Sequence, residues 1–196
     1  MQHHWFLVVN DFARHSTWLQ APMQDYARYG VVLFAAALGL AWWAARRRSD
    51  VRPMVAALWA PVGTLVAVGL NQPLGHLVRE PRPYTVFPHA LVLVSRSQDF
   101  SFPSDHAVMA GAVTAGVLLS HRRLGWVTLA AAVVLAFARV YVGAHFPLDV
   151  VAGLLFGAAV SGLGYLVVRA PLTRVVTALT RTRARPLLTA HAPVAT

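Results

Sequence analysis

Three short polar clusters interrupt an otherwise apolar chain. They are Glu80-Pro81-Arg82-Pro83, Pro103-Ser104-Asp105-His106, and Arg139 followed six residues on by His145 and four beyond that by Asp149. Two histidines, two arginines, a serine and an aspartate are what a metal-free phosphoryl-transfer site requires. A nucleophilic imidazole needs an acidic partner to fix its tautomer, and a leaving oxygen needs a proton donor. The phosphoryl oxygens need fixed positive charge.

Each cluster can be given a role on chemical grounds. Ser104, Asp105 and His106 open a predicted helix directly after Pro103. A helix start offers free backbone N–H groups and a positive dipole end, which suits a phosphate dianion. Ser104 would cap the helix or contact the phosphate, and His106 would protonate a leaving oxygen. His145 precedes the next predicted helix, and Asp149 lies about one turn further along. That spacing lets the carboxylate reach the imidazole nitrogen that is not attacking. Arg82 and Arg139 would supply bidentate contacts to phosphoryl oxygens. A metal site built from His106, His145 and Asp149 is disfavoured because the neighbouring arginines repel a cation, so neither metal nor cofactor is expected.

The elements that must position these residues are membrane helices. Apolar residues make up 57% of the chain and charged residues only 12%, half the share of charge usual in soluble domains. Mean hydropathy of +0.55 points to an all-α, polytopic membrane bundle of about five or six helices. The net charge of +10 comes wholly from arginine. Those arginines flank apolar stretches, which fits membrane orientation and anionic lipid better than nucleic acid. Cysteine is absent, excluding disulfides and thiolate metal sites.

Residues 1–28 read as an interfacial amphipathic helix or re-entrant hairpin, without the pattern of a cleaved signal peptide. Spans are expected at about 29–45, 54–78, 104–120, 124–142 and 146–168, together forming the membrane domain 29–168. Residues 169–196 read as a basic, disordered cytoplasmic tail. His3, His4, His89, His121 and His191 read as surface or loop residues. With Arg46 to Arg52, Arg122-Arg123 and the tail placed inside by their charge, all three clusters face the outside of the cell membrane.

The clusters resemble the three motifs of the type 2 phosphatidic acid phosphatase (PAP2) superfamily. These are a lysine seven positions before Arg-Pro, then Pro-Ser-x-His, then Ser-Arg followed by His and Asp at the spacing seen here. The resemblance covers about residues 25–168. Within the superfamily, EPRPY, SFPSDHA and ARVYVGAHFPLDV are most similar to the bacitracin-resistance-type undecaprenyl-diphosphate phosphatases. It implies a phosphohistidine nucleophile at His145, oriented by Asp149, with His106 as acid and Arg82, Ser104 and Arg139 holding phosphate. The implied substrate is a polyprenyl diphosphate in the bilayer. Two positions depart from the pattern: Gly75 stands where the first-motif lysine would be, and Ala138 replaces the serine before Arg139. Arg79, one helical turn after Gly75, is the candidate to replace the lysine, with His76 beside it. Three alternatives stay open: a phosphatase for another lipid such as phosphatidate or phosphatidylglycerophosphate, a lipid-diphosphate phosphotransferase, and a non-enzymatic scaffold.

Overall fold

Small residues decide which helix lies at the centre. The computed structural model describes residues 1–190, in which every regular element is a helix. They are α1 (Gln2–His15), α2 (Thr17–Tyr29), α3 (Val31–Arg46), α4 (Arg52–Val78), α5 (Pro83–Val86), α6 (Asp105–Ser120), α7 (Arg122–Tyr141), α8 (Pro147–Leu179) and α9 (Arg185–Leu188). Helix α6, rich in Ala and Gly, is buried along most of its length and packs against α3, α4, α7 and α8. Gly111 of α6 faces the backbone of Leu154, and Gly157 of α8 faces that of Val108, so that a Cβ on either glycine would overlap the opposing helix. Such small-residue contacts are how helices approach closely where lipid supplies no hydrophobic drive between them.

Helices α4, α7 and α8 are long and apolar enough to cross a membrane, and α2 with α3, bent by 53°, form a fourth, broken candidate. Their outer faces carry exposed Val32, Leu65, Leu155 and Val167, as lipid-facing surfaces require. The expected span at 104–120 is the short one: α6 has 16 residues, about 24 Å of helix against a hydrocarbon core of about 30 Å. The fold is nonetheless an all-α membrane bundle.

The expected end of the last span and the expected tail both need correction. Helix α8 continues past Val168 to Leu179 because Leu172 and Val176 remain in register with Ala45, Met54 and Val55. Helix α9 then docks on α3: Trp42 Nε1 donates to the Leu187 carbonyl at 3.0 Å, and the Ala190 amide donates to the Arg46 carbonyl at 2.8 Å. Residues 169–190 are therefore ordered, while residues 191–196, including His191, lie outside the described residues. His121, read as a surface residue, caps α7: its Nδ1 accepts from the Leu124 amide at 3.2 Å.

At the N-terminus two helices, α1 and α2, break at Ser16, whose hydroxyl meets the Tyr141 hydroxyl at 2.8 Å. Phe6 of α1 packs on Phe87 and Phe146. Asn10 pairs with the backbone of Leu91 through both its amide nitrogen and its carbonyl, at 2.8 and 3.0 Å. The segment between α4 and α6 is thus pinned under α1. That segment carries the first polar cluster and part of the site wall.

Candidate active site

His145 sits in the turn between α7 and α8, where Gly143 takes φ +78 and lets the chain reverse tightly against Leu91. The imidazole is 2% exposed, and this burial is decisive for its protonation state. Nδ1 lies 2.8 Å from the Ser101 carbonyl. A carbonyl only accepts, so Nδ1 carries the hydrogen of the neutral ring and Nε2 presents a lone pair. Burial first, then the positive charges of Arg139 and Arg82, hold His145 well below the usual histidine range. The ring is therefore neutral at physiological pH, as a nitrogen nucleophile must be.

Two guanidiniums converge on that lone pair. Arg82 Nη1 and Arg139 Nη2 each lie 3.3 Å from Nε2. Arg82 is fixed further by the carbonyls of Asp99 and Ala144, at 3.0 and 3.2 Å. Arg139 reaches the Ala27 carbonyl of α2 at 3.4 Å. Both face a cavity of about 400 Å³, lined also by Gln24 and Arg28 of α2, Tyr84, Asp99, Asp105 and His106. That volume falls within the ~300–1,000 Å³ of small-molecule sites. His106 enters from the first turn of α6 and neither ring nitrogen has a hydrogen-bond partner among the described residues, leaving it free to exchange a proton with a ligand.

Asp149, in the first turn of α8, is placed differently from the expectation. Its Oδ2 is 3.6 Å from His145 Nδ1, too far for a hydrogen bond. Instead Oδ2 accepts from the Phe146 amide at 2.8 Å and from the Ser101 hydroxyl. The carboxylate therefore acts on the imidazole partly through Ser101, whose backbone carbonyl holds Nδ1. Ser101 was not marked in the sequence; it lies 44 residues from His145, and only its place just before the second cluster hinted at it. Ser104 occupies the N-cap position of α6 without making a side-chain cap. Its hydroxyl is buried and unpartnered behind Pro103, and its amide donates to the Asp149 carbonyl at 3.2 Å.

Three predicted site residues do not line this cavity: Ser104 and Asp149, which are fully buried, and Arg79. Arg79 ends α4 in the left-handed conformation, φ 55, and its Nε donates to the His76 carbonyl at 3.0 Å. It lines an adjacent cavity with Gly75 and His76 instead. The third arginine on the main cavity wall is Arg28, which no motif marks. Among the described residues no group of three or more histidines and carboxylates is placed to hold a metal ion.

The family model of the PAP2 superfamily matches residues 56–172, most of the chain from α4 into α8. The chain belongs to the PAP2 superfamily. Among PAP2 relatives, the bacitracin transport permease protein BcrC of Bacillus licheniformis is 31% identical over 152 residues, covering 78% of this chain and 73% of that protein. The undecaprenyl-diphosphatase BcrC of Bacillus subtilis is 27% identical over 156 residues, covering 79% and 78%. Among solved structures, LpxE of Aquifex aeolicus superposes with a TM-score of 0.61 at 25% identity, covering 83% of this chain and 93% of that one. This PAP2 chain is accordingly a membrane lipid phosphatase.

Proposed function

We propose that the protein hydrolyses undecaprenyl diphosphate, or a closely related polyprenyl diphosphate, to the monophosphate and inorganic phosphate, returning a lipid carrier to use. The observation that carries the reading is the His145 Nε2 lone pair aimed at a cavity between Arg82 and Arg139, with His106 on the same wall. The name of the Bacillus subtilis relative, an undecaprenyl-diphosphatase, supports the substrate class.

In the proposed reaction Nε2 attacks the terminal phosphorus in line, and the bond from phosphorus to the bridging oxygen breaks. Protonated His106 gives its proton to that oxygen as the lipid monophosphate departs. Water then attacks the phosphohistidine, His106 takes the water proton, and inorganic phosphate leaves with His145 restored. Ser101 and Asp149 hold the ring, while Arg82 and Arg139 stabilise the charge that spreads over the equatorial oxygens. Ser104, fully buried at the start of α6 and outside the cavity lining, would contact phosphate only after a shift of that helix end.

The site faces the extracytoplasmic side of the plasma membrane. The arginine-bearing α3–α4 turn meets α8 and α9, and Ser120 at the end of α6 bonds Pro53, so this basic end of the bundle lies away from the cavity. Purified protein should release phosphate fastest from polyprenyl diphosphates in a panel of lipid mono- and diphosphates; a preference for phosphatidate or phosphatidylglycerophosphate would replace the substrate. Lipid or sugar phosphate formed in the presence of hydroxyl acceptors would make it a transferase. For sidedness, Gln98→Cys should be labelled by an impermeant thiol reagent in intact cells and Leu124→Cys should not.

A further inference from the structure

Glu80 opens the first cluster yet has no part in the phosphate chemistry, and its surroundings are unusual for a carboxylate. Its backbone carbonyl accepts from the Ser101 amide at 2.8 Å. Its Oε1 accepts from Gln2 Nε2 at 2.6 Å, a contact between α1 and the α4–α5 turn. Its side chain interacts with that of Asp149, which shares Ser101 with it. Asp149 Oδ2 already receives two donors, the Phe146 amide and the Ser101 hydroxyl, whereas the buried Oδ1 has no conventional donor.

Two ionised carboxylates cannot hydrogen-bond, because both only accept; one must carry a proton. We propose that Glu80 is a positioning residue that stays protonated and donates from Oε2 to Asp149 Oδ1, closing a ring of Glu80, Ser101 and Asp149 from which the Ser101 carbonyl holds His145. The inference rests on the reading of His145 as nucleophile. The ring explains the buried Oδ1 and leaves the carboxyl pair with one negative charge. It also fixes Ser101 from three sides, at its amide, its hydroxyl and its carbonyl, so that the His145 ring keeps its tautomer and direction. Burial and then the Asp149 charge raise Glu80 above the ordinary glutamate range. The polar groups facing it are Asp149 from α8 and Gln2 and His3 from α1; Gln2 and His3 favour ionisation, and burial with Asp149 outweighs them.

The expected behaviour follows from the sign of that shift. As pH rises, Glu80 ionises, the two carboxylates repel and the ring opens, so activity that depends on it is lost on the alkaline side. Glu80→Gln retains a donor toward Asp149 and an acceptor for Gln2, and it cannot ionise. The test compares wild type, Glu80→Gln and Glu80→Ala in detergent micelles with farnesyl diphosphate as probe. Glu80→Ala should lose about tenfold or more in kcat with KM within about twofold, since Glu80 touches no substrate. Glu80→Gln should retain activity within about threefold, and its ratio to wild type should climb as pH rises. Taking the ratio cancels titrations shared by both proteins, those of His106 and His145 included. An infrared carbonyl band of a protonated carboxylic acid should be present in wild type at about pH 6, where exposed carboxyls are ionised, and absent from Glu80→Gln. A ratio flat with pH, or no such band in wild type, would overturn the proposal. If wild type hydrolyses no diphosphate, the substrate reading fails while the infrared difference still decides Glu80.

Discussion

Two cavities meet at Asp99, Phe100, Pro103 and Asp105, and only one of them is built for an anion in flight between two acceptors. The first, of about 400 Å³, holds both site histidines and Arg28, Arg82 and Arg139. The second, of about 340 Å³, holds Gly75, His76 and Arg79 with Asn71 and Gln72. Asp105 stands between them, its Oδ1 held from the α4 side by Asn71 and Gln72 at 2.7 and 3.0 Å. The guanidiniums of Arg82 and Arg139 have carbonyls and a histidine nitrogen as hydrogen-bond neighbours and, among the described residues, no ion-paired carboxylate, and so keep their charge for a ligand. Arg79 in the second turns back onto its own helix end. Position, more than the count of nearby cations, decides which charge can meet a phosphate.

The steepest contrast is expected at the histidines of the first cavity. His145→Ala should lower kcat by about a thousandfold or more, since the proposed reaction runs through a covalent intermediate on that side chain. His106→Ala should be nearly as severe with a lipid diphosphate, but with p-nitrophenyl phosphate, whose leaving group needs no proton, it should keep the first step and release a burst of p-nitrophenol before the slow water step, which His145→Ala should not. The same behaviour in both variants on that substrate would break the division of roles. Next come the arginines. Arg82→Ala or Arg139→Ala should cost about a hundredfold in kcat/KM, the size expected for removing one donor to developing oxyanion charge. Arg28 sharpens the comparison, because it lies on the first cavity's wall without belonging to a motif. Arg28→Ala should raise KM about tenfold for a diphosphate and less for a monophosphate, as the additional phosphate loses a cation. Arg79→Ala, across Asp105 in the second cavity, should leave kcat and KM within about twofold. A tenfold loss there would mean that the substrate reaches into both cavities.

Much of this arrangement was legible because helices convert spacing into geometry. The six residues from Arg139 to His145 and the four from there to Asp149 span a helix end, a turn and a first helical turn, which the fold reproduces at the α7–α8 junction. Apolar length fixed α4 and α7 for the same reason. What stayed hidden depends on contacts between distant segments. Ser101 bonds Asp149 across 48 residues, Gln2 meets Glu80 across 78, and Arg28 reaches the cavity only because α2 lies against α7. No local periodicity encodes such meetings. The placement of Arg79 failed for a local reason: the one-turn rule from Gly75 assumes a helix that continues, and α4 ends at Arg79 itself with φ 55. The tail was misjudged because its basic composition masked Leu172, Val176 and Leu188, which pack on the α3–α4 end of the bundle.

The central claim is that His145 Nε2 carries the phosphoryl group between lipid and water. Rapid acid-free quenching of purified protein mixed with a polyprenyl diphosphate labelled at its terminal phosphate tests it most directly. Wild type should yield protein-bound label that survives alkali and is released by mild acid, mapping to the peptide that contains His145. His145→Ala should yield none. Label bound elsewhere, or full turnover with no protein-bound phosphate at any quench time in both wild type and a His106→Ala protein slowed in release, would contradict the account.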